Sequence, residues 1–92
     1  MKDFQNEDGE YHRENGPAMI YEDGTLYWLK NGDFHRENGP AAIRGEGKMC
    51  WARNGKMHRE NGPALIWTDG SHEYWLNGNP VSKEEFERRM RL

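Results

Sequence analysis

Ninety-two residues with 34% hydrophobic content are enough for one small domain with a modest core. The net charge of −3 gives no basic footprint of the kind that phosphate-backbone binding requires, which argues against direct nucleic-acid binding. No apolar run approaches the length of a membrane span, so we expect no membrane partner. The first residues carry no apolar signal segment, and Cys50 has no cysteine to pair with, so we expect a cytoplasmic protein.

The heptapeptide His-Arg-Glu-Asn-Gly-Pro-Ala occurs three times without change, starting at residues 12, 35 and 58. The period is therefore constant at 23 residues. An identical string at a fixed period is typical of repeat architectures, in which each unit stacks on the next. We predict a single repeat domain, 1–92, with units at about 10–32, 33–55 and 56–78.

Two turn signals recur between the heptapeptides. Asn-Gly falls at 31–32, 54–55 and 77–78, and an acidic residue followed by Gly falls at 23–24, 46–47 and 69–70. Both dipeptides suit positive φ in tight turns. The apolar-alternating runs between them predict six main strands, in chain order at 18–21, 26–30, 41–44, 48–53, 64–67 and 72–76, with a weaker partial strand near Phe4. The predicted fold is mainly β, an elongated antiparallel β-hairpin meander whose tight turns alternate with the longer Arg-Glu-Asn-Gly-Pro loops.

The third unit leaves one question of register open. The tryptophan that follows Gly24 and Gly47 by four residues follows Gly70 by five, at Trp75. Either Tyr74 takes the tryptophan position, or a bulge shifts Trp75 into it. A slip of one residue would turn every side chain of the strand to the other face of the sheet.

The C-terminal segment predicts a short α-helix over 83–91. Ser82 and Glu85 form a capping-box pattern, acidic residues fill the first turn and arginines the last, and Pro80 should end the preceding strand. Phe86 and Met90 share one helix face. We expect this helix to cover the exposed edge or end of the last hairpin.

Strand alternation separates a constant face from a variable one. The constant face repeats Ala and Ile after each Gly-Pro, together with Trp28 and Trp51, and we predict that it is the packed face. The opposite face changes in every unit, and aromatic and Arg residues on such a face are candidate partner contacts because they dominate binding hot spots. The predicted partner-binding residues are Tyr21, Tyr27, Arg44, Trp67 and Trp75, with Trp67 as the best anchor. The alternative is that a thin sheet buries both faces, or packs against a second copy of the chain.

The repeated His-Arg-Glu-Asn string is chemically rich but poorly placed for chemistry. Two strands per unit put equivalent histidines roughly 10 Å apart, whereas zinc ligands converge at about 2 Å from a single ion. An enzyme needs one site, and three identical copies suit a structural loop better. We therefore expect no metal site, no cofactor and no catalytic residue. Instead, the His and Arg side chains should bond backbone carbonyls of the next unit. Cys50 is expected to be a small strand residue.

A family resemblance lies in the segment Trp28-Leu-Lys-Asn-Gly-Asp-Phe-His-Arg-Glu-Asn-Gly-Pro-Ala-Ala-Ile. It resembles the MORN repeat, and its His-Arg-x-x-Gly-Pro-Ala form is similar to the MORN-like repeats of small phage, giant-virus and bacterial proteins. The ending Trp75-Leu-Asn-Gly-Asn-Pro-Val-Ser-Lys-Glu-Glu-Phe is similar to the way many such chains finish. The resemblance covers about 10–87 and implies a β-hairpin ribbon used for protein or lipid contact, without shared catalytic residues. The heptapeptide loop is two residues longer than the His-Gly of standard units, which weakens the case for a phospholipid role.

The leading functional expectation is a non-enzymatic protein-binding module. A phage-encoded inhibitor of a host defence enzyme, similar to anti-CRISPR proteins, belongs to this class and would act in the host cytoplasm. The antitoxin of a bacterial toxin–antitoxin pair belongs to it too. The expected partner is accordingly a host or toxin protein, with a homodimer as the alternative. From a different class, a small hydrolase or nuclease that uses a repeat His and Glu is the competing hypothesis.

Overall fold

The computed structural model describes residues 1–91 and shows a mainly β chain with an antiparallel, meander-like sheet and one short C-terminal helix. The molecule is elongated, with extents of 41 × 28 × 18 Å along its principal axes. The elements, in chain order, are β1 (Lys2–Asp3), β2 (Met19–Ile20), β3 (Leu26–Tyr27), β4 (Leu29–Lys30), β5 (Asp33–Phe34), β6 (Ala42–Ile43), β7 (Met49–Cys50), β8 (Ala52–Arg53), β9 (Lys56–Met57), β10 (Leu65–Ile66), β11 (His72–Leu76), β12 (Asn79–Val81) and α1 (Lys83–Met90).

The main sheet contains eight strands in the order β1-β2-β3-β6-β7-β10-β11-β12, and every neighbouring pair is antiparallel. The order follows the chain, as the predicted meander requires. The remaining strands form two separate hairpins, β4–β5 and β8–β9, which leave the main sheet. The predicted strands are therefore present. The last one, 72–76, has the predicted bounds, and the others are shorter than expected. The first two Asn-Gly turns connect the side hairpins, whereas the third connects β11 to β12 of the main sheet.

The break between β3 and β4 has a hydrogen-bonding cause. The Trp28 N–H donates to the Ala41 carbonyl in the main sheet, while the Trp28 carbonyl accepts from the His35 N–H on the side of the β4–β5 hairpin. The chain thus changes pairing partner at this residue. Trp51 does the same with Ala64 and His58, which splits the predicted 48–53 strand at the equivalent point.

The turns adopt the backbone conformation that their sequences predict. Asn31 and Gly32 have φ of 50° and 85°, and the Asn54-Gly55 and Asn77-Gly78 turns are alike. Two consecutive positive φ values define the type I′ hairpin turn, which asparagine and glycine tolerate best. In the third turn the chain continues as β12, so Pro80 lies within a strand, opposite Trp75. The preceding strand, β11, ends at Leu76, but the turn ends it and not Pro80 as expected. Pro80 itself is tolerated in β12 because an edge strand does not need the missing N–H.

The register of the third unit is that of the first two, without a bulge. The Ala18 N–H donates to the Tyr27 carbonyl, Ala41 to Cys50, and Ala64 to Glu73, always across nine residues. Glu73 thus matches Tyr27 and Cys50. Consequently Tyr74 takes the tryptophan position, and Trp75 lies in line with Leu29 and Ala52.

The core is thin and draws on both faces of the sheet. The alanines that follow each Gly-Pro, Ala18, Ala41 and Ala64, are fully buried. Leu65, on the face predicted to be free, is only 6% exposed, whereas its neighbour Ile66 on the predicted packed face is half-buried. Leu29 and Ala52 on the variable face are also buried. The predicted division into one packed and one free face is therefore wrong, because both faces of this thin sheet carry buried side chains.

The terminal helix closes the end of the meander. The Glu85 N–H donates to the Ser82 hydroxyl at 3.0 Å, as the capping box predicts, but the Glu85 carboxylate accepts from Arg89 instead of reaching back. Phe86 is buried and packs on Tyr74, with ring centroids 4.7 Å apart. Of the two expected placements, the edge or the end of the last hairpin, the helix takes the end, and it packs there on β11.

Candidate functional site

The histidines of the heptapeptide are fully engaged in holding the fold. The Asn31 N–H donates to His12 Nδ1 at 2.9 Å, and equivalent bonds join Asn54 to His35 and Asn77 to His58. On the other side of each ring, Nε2 lies 2.6–3.2 Å from the carboxylate two residues later. A ring whose Nδ1 accepts must carry its proton on Nε2, which then donates to the glutamate. Neither nitrogen is left for a metal or a substrate.

The arginines of the heptapeptide form a second internal contact. Arg36 lies 3.8 Å from the centroid of the Trp28 ring and donates to the Pro40 carbonyl at 3.1 Å. Arg59 on Trp51 and Arg13 on Phe4 repeat the arrangement. A Cβ on Gly39 would lie 2.8 Å from the guanidinium carbon, so this glycine leaves room for the stacked arginine. These contacts explain most of the invariant string. The histidines accept from amides of the Asn-Gly turns, and the arginines donate to the proline carbonyl of their own loop, so the expectation that both bond carbonyls of the next unit is wrong.

A groove lies on the variable face, and its floor is a row of cross-strand neighbours. Tyr27 pairs with Ala42, Ala42 with Cys50, and Cys50 with Leu65, across β3, β6, β7 and β10. Phe34 and Met57 from the two side hairpins form part of its wall, and the volume is about 290 Å³. The groove exists because the chain leaves the main sheet at Trp28 and Trp51, which raises the side hairpins beside the floor.

One end of the groove is aromatic. The Tyr27 ring meets Tyr21 edge-on at 5.6 Å and Phe34 edge-on at 5.3 Å between centroids. Phe34 is nevertheless 38% exposed, which is high for a side chain of its size in contact with other rings. Edge-to-face pairs hold rings in fixed orientations, so the rings at this end of the groove hold one another in place.

The other end of the groove is cationic. Arg44 and Lys48 flank the turn between β6 and β7, where the Arg44 N–H donates to the Lys48 carbonyl. The Lys48 ammonium lies 4.0 Å from the centroid of the Trp67 ring, which is 39% exposed. Within residues 1–91 neither cation forms an ion pair. Asp23 is the nearby acid, and Arg44 contributes a little to lowering its pKa, after the hydrogen bonds from Thr25.

Two tryptophans share one carboxylate beside the groove. Glu73 accepts from Trp67 Nε1 at 2.9 Å and from Trp75 Nε1 at 3.1 Å. Both indole N–H groups are therefore satisfied internally. Trp75 lies outside the groove, half-buried, and holds Trp67 in place through Glu73.

The groove floor has no obvious nucleophile. Burial raises the pKa of the Cys50 thiol above its usual value, so the unreactive protonated form prevails at neutral pH. In the part of the chain that the structure describes, no group of three or more His, Cys, Asp or Glu side chains could hold a metal ion. The polar clefts between consecutive heptapeptide loops are lined by the same engaged histidines, arginines and glutamates.

Three of the five predicted partner residues, Tyr27, Arg44 and Trp67, line the groove. Tyr21 supports it through Tyr27, and Trp75 supports it through the shared carboxylate. Among the other groove residues, the large side chains that sequence reasoning missed are Phe34, Lys48 and Met57. The first and last of these each precede a repeated histidine, as Tyr11 does, and this recurrent bulky residue is the signal that could have found them.

Comparison with protein-family models, curated proteins and solved structures gave no match. Among residues 1–91, no helix is long and apolar enough to cross a membrane.

Proposed function

We propose that this protein is a non-enzymatic protein-binding module, built as a ribbon of three 23-residue MORN-like units that presents the groove to a partner protein. The supporting observation is the groove itself. It brings together exposed aromatic rings and cations without an ion pair on the face whose residues change from unit to unit. The invariant His and Arg side chains, in contrast, are engaged in hydrogen bonds and ring contacts within the fold. Tryptophan, tyrosine and arginine are the residue types that dominate binding hot spots.

The enzymatic alternative has less support. A general base needs a free ring nitrogen or carboxylate within reach of a substrate. The repeated histidines instead bond a backbone amide through one nitrogen and a glutamate through the other. An inhibitor of a host defence enzyme and an antitoxin both fall within the proposed class, and the identity of the captured partner would separate them.

The test is a pull-down from the lysate of the natural host, with wild-type protein and three alanine variants as bait. Phe34→Ala and Trp67→Ala remove groove residues. Tyr11→Ala is the matched control, because Tyr11 is 38% exposed like Phe34, occupies the equivalent place before a histidine, and does not line the groove. Its carbonyl accepts from Gly32 as that of Phe34 accepts from Gly55.

We expect one protein to be retained by wild type and by Tyr11→Ala, and to be lost from the two groove variants. Truncating a central aromatic anchor costs about 2 kcal/mol, or roughly thirtyfold in affinity. Circular dichroism must show all four proteins folded. If all four proteins capture the partner equally, the binding surface lies elsewhere. If none of them captures a protein, the proposal is contradicted.

A further inference from the structure

We infer that the groove accepts an acidic segment of its partner, in which an apolar side chain enters the floor and a neighbouring Asp or Glu reaches Arg44 and Lys48. This inference rests on the proposed function and adds the chemistry of the partner.

The groove is sized for side chains. Its volume of about 290 Å³ lies at the lower limit of the range of pockets that enclose a drug-sized ligand. Ala42, Cys50 and Leu65 make the floor apolar, and Phe34 and Met57 extend the apolar surface up the wall. An aliphatic or aromatic side chain is therefore the group whose transfer from water into this groove is most favourable.

The charge at the groove end is opposite to that of the chain. The whole protein carries −3, yet the two charged side chains that line this groove, Arg44 and Lys48, are both cations. No ion pair within the described residues neutralises either one. Complementary charge selects partners and suppresses wrong ones, so a carboxylate is the matching group.

A second copy of this chain fits the groove less well. A two-fold dimer brings the same patch of both subunits together. Arg44 and Lys48 would then face their own counterparts, and like charges set against each other oppose association. Two chains of net charge −3 also repel at a distance. An acidic segment of a different protein avoids the first of these penalties and gains an ion pair.

The experiment selects a displayed library of random peptides on immobilised wild-type protein. An enriched peptide and its counterpart with every Asp and Glu replaced by the amide are then synthesised. Their dissociation constants are measured by calorimetry, at low and high salt, for wild type, Arg44→Glu, Phe34→Ala and Lys30→Glu. Lys30 is the matched control, since it is an exposed cation that does not line the groove.

We expect enriched peptides to combine an apolar residue with adjacent acids. Arg44→Glu and the amide peptide should each weaken binding by about tenfold or more, and added salt should weaken it further. Lys30→Glu should leave affinity unchanged. Circular dichroism of Arg44→Glu must match wild type, which its exposed position favours.

Two results would overturn the inference in different ways. Peptides that need Phe34 but carry no acids, or that bind Arg44→Glu as well as wild type, would refute the acidic partner and leave the groove as a binding site. Failure to enrich any peptide that depends on Phe34 would refute the inference as well. Whether the proposed function falls with it is then decided by the pull-down, in which Phe34→Ala and Tyr11→Ala are compared directly.

Discussion

Replacing His58 by alanine tests whether the repeated histidines stabilise the fold through a backbone hydrogen bond. His58 is 8% exposed, and its Nδ1 accepts the Asn77 N–H at 2.9 Å in a partly buried setting. Alanine would leave that amide without a partner, at a cost of about 1–3 kcal/mol. The bond to Glu60 adds little, because that carboxylate is 56% exposed. With the packing of the ring, we expect a loss of about 2–3 kcal/mol, a large part of the stability of a domain this small.

The matched series makes the prediction specific. In His58→Asn the side-chain oxygen occupies nearly the place of Nδ1, so this variant should recover about 1 kcal/mol relative to alanine. In His58→Gln the oxygen lies one atom further out and should recover less. The same alanine change should matter less at His35 and least at His12, since the side chains are 6%, 11% and 16% exposed in the order His58, His35, His12.

Urea and thermal unfolding, followed by tryptophan fluorescence and circular dichroism, provide the measurement. A loss of 2 kcal/mol corresponds to a fall in Tm of roughly 8–16 °C for a domain of this size. If His58→Asn is no more stable than His58→Ala, the hydrogen bond to the amide is not what the ring contributes. If the three alanine variants are equally destabilised, burial does not set the cost.

Two further predictions concern the terminal helix and the acid limit of stability. Phe86→Ala should lower the free energy of unfolding by about 3 kcal/mol, because it empties a buried site against Tyr74, and an unchanged urea midpoint would show that the helix is not docked. Hydrogen bonds from Thr25 and Ser71 hold the pKa of Asp23 and of Asp69 below the usual 3.8, and a hydrogen bond from a neighbouring histidine lowers that of Glu37 below 4.5. A depressed carboxyl pKa means that the folded state favours the charged form, so each of these groups contributes its full stabilisation above its usual pKa. That stabilisation is lost as the pH falls through the depressed pKa of the folded state. The urea midpoint should therefore decline only at acid pH. Asp23→Asn combined with Asp69→Asn should flatten that decline, and a decline of unchanged steepness would rule these two carboxylates out as its cause.

The sequence predicts the local geometry of this protein well. Asn-Gly and Asp-Gly in tight turns suit positive φ, so the turns at Asn31 and Gly24 follow from the residues themselves. The Asn-Gly of each heptapeptide, which is followed by proline, does not adopt positive φ. The Ser82 hydroxyl caps the helix for an equally local reason. The order of the main-sheet strands follows as well, because short turns leave consecutive antiparallel strands as neighbours.

The candidate site is predictable only in part. Alternation along each strand identifies Tyr27, Arg44 and Trp67 as residues of one variable face, and the groove contains all three. The same alternation cannot show that Phe34 faces them, since Phe34 lies in a hairpin that leaves the main sheet. It also cannot show that Leu65 on this face is buried.

What the sequence by itself determined is therefore the turns, the helix cap, the strand order and the variable face, since each depends on neighbours a few residues away. Only the tertiary structure decided the rest. Trp28 divides its backbone hydrogen bonds between the main sheet and the side hairpin, and His12 reaches an amide nineteen residues along the chain. These contacts hold the side hairpins beside the main sheet, where Phe34 and Met57 line the groove. Which distant group satisfies each backbone donor is decided by the tertiary structure, and no local pattern encodes that choice.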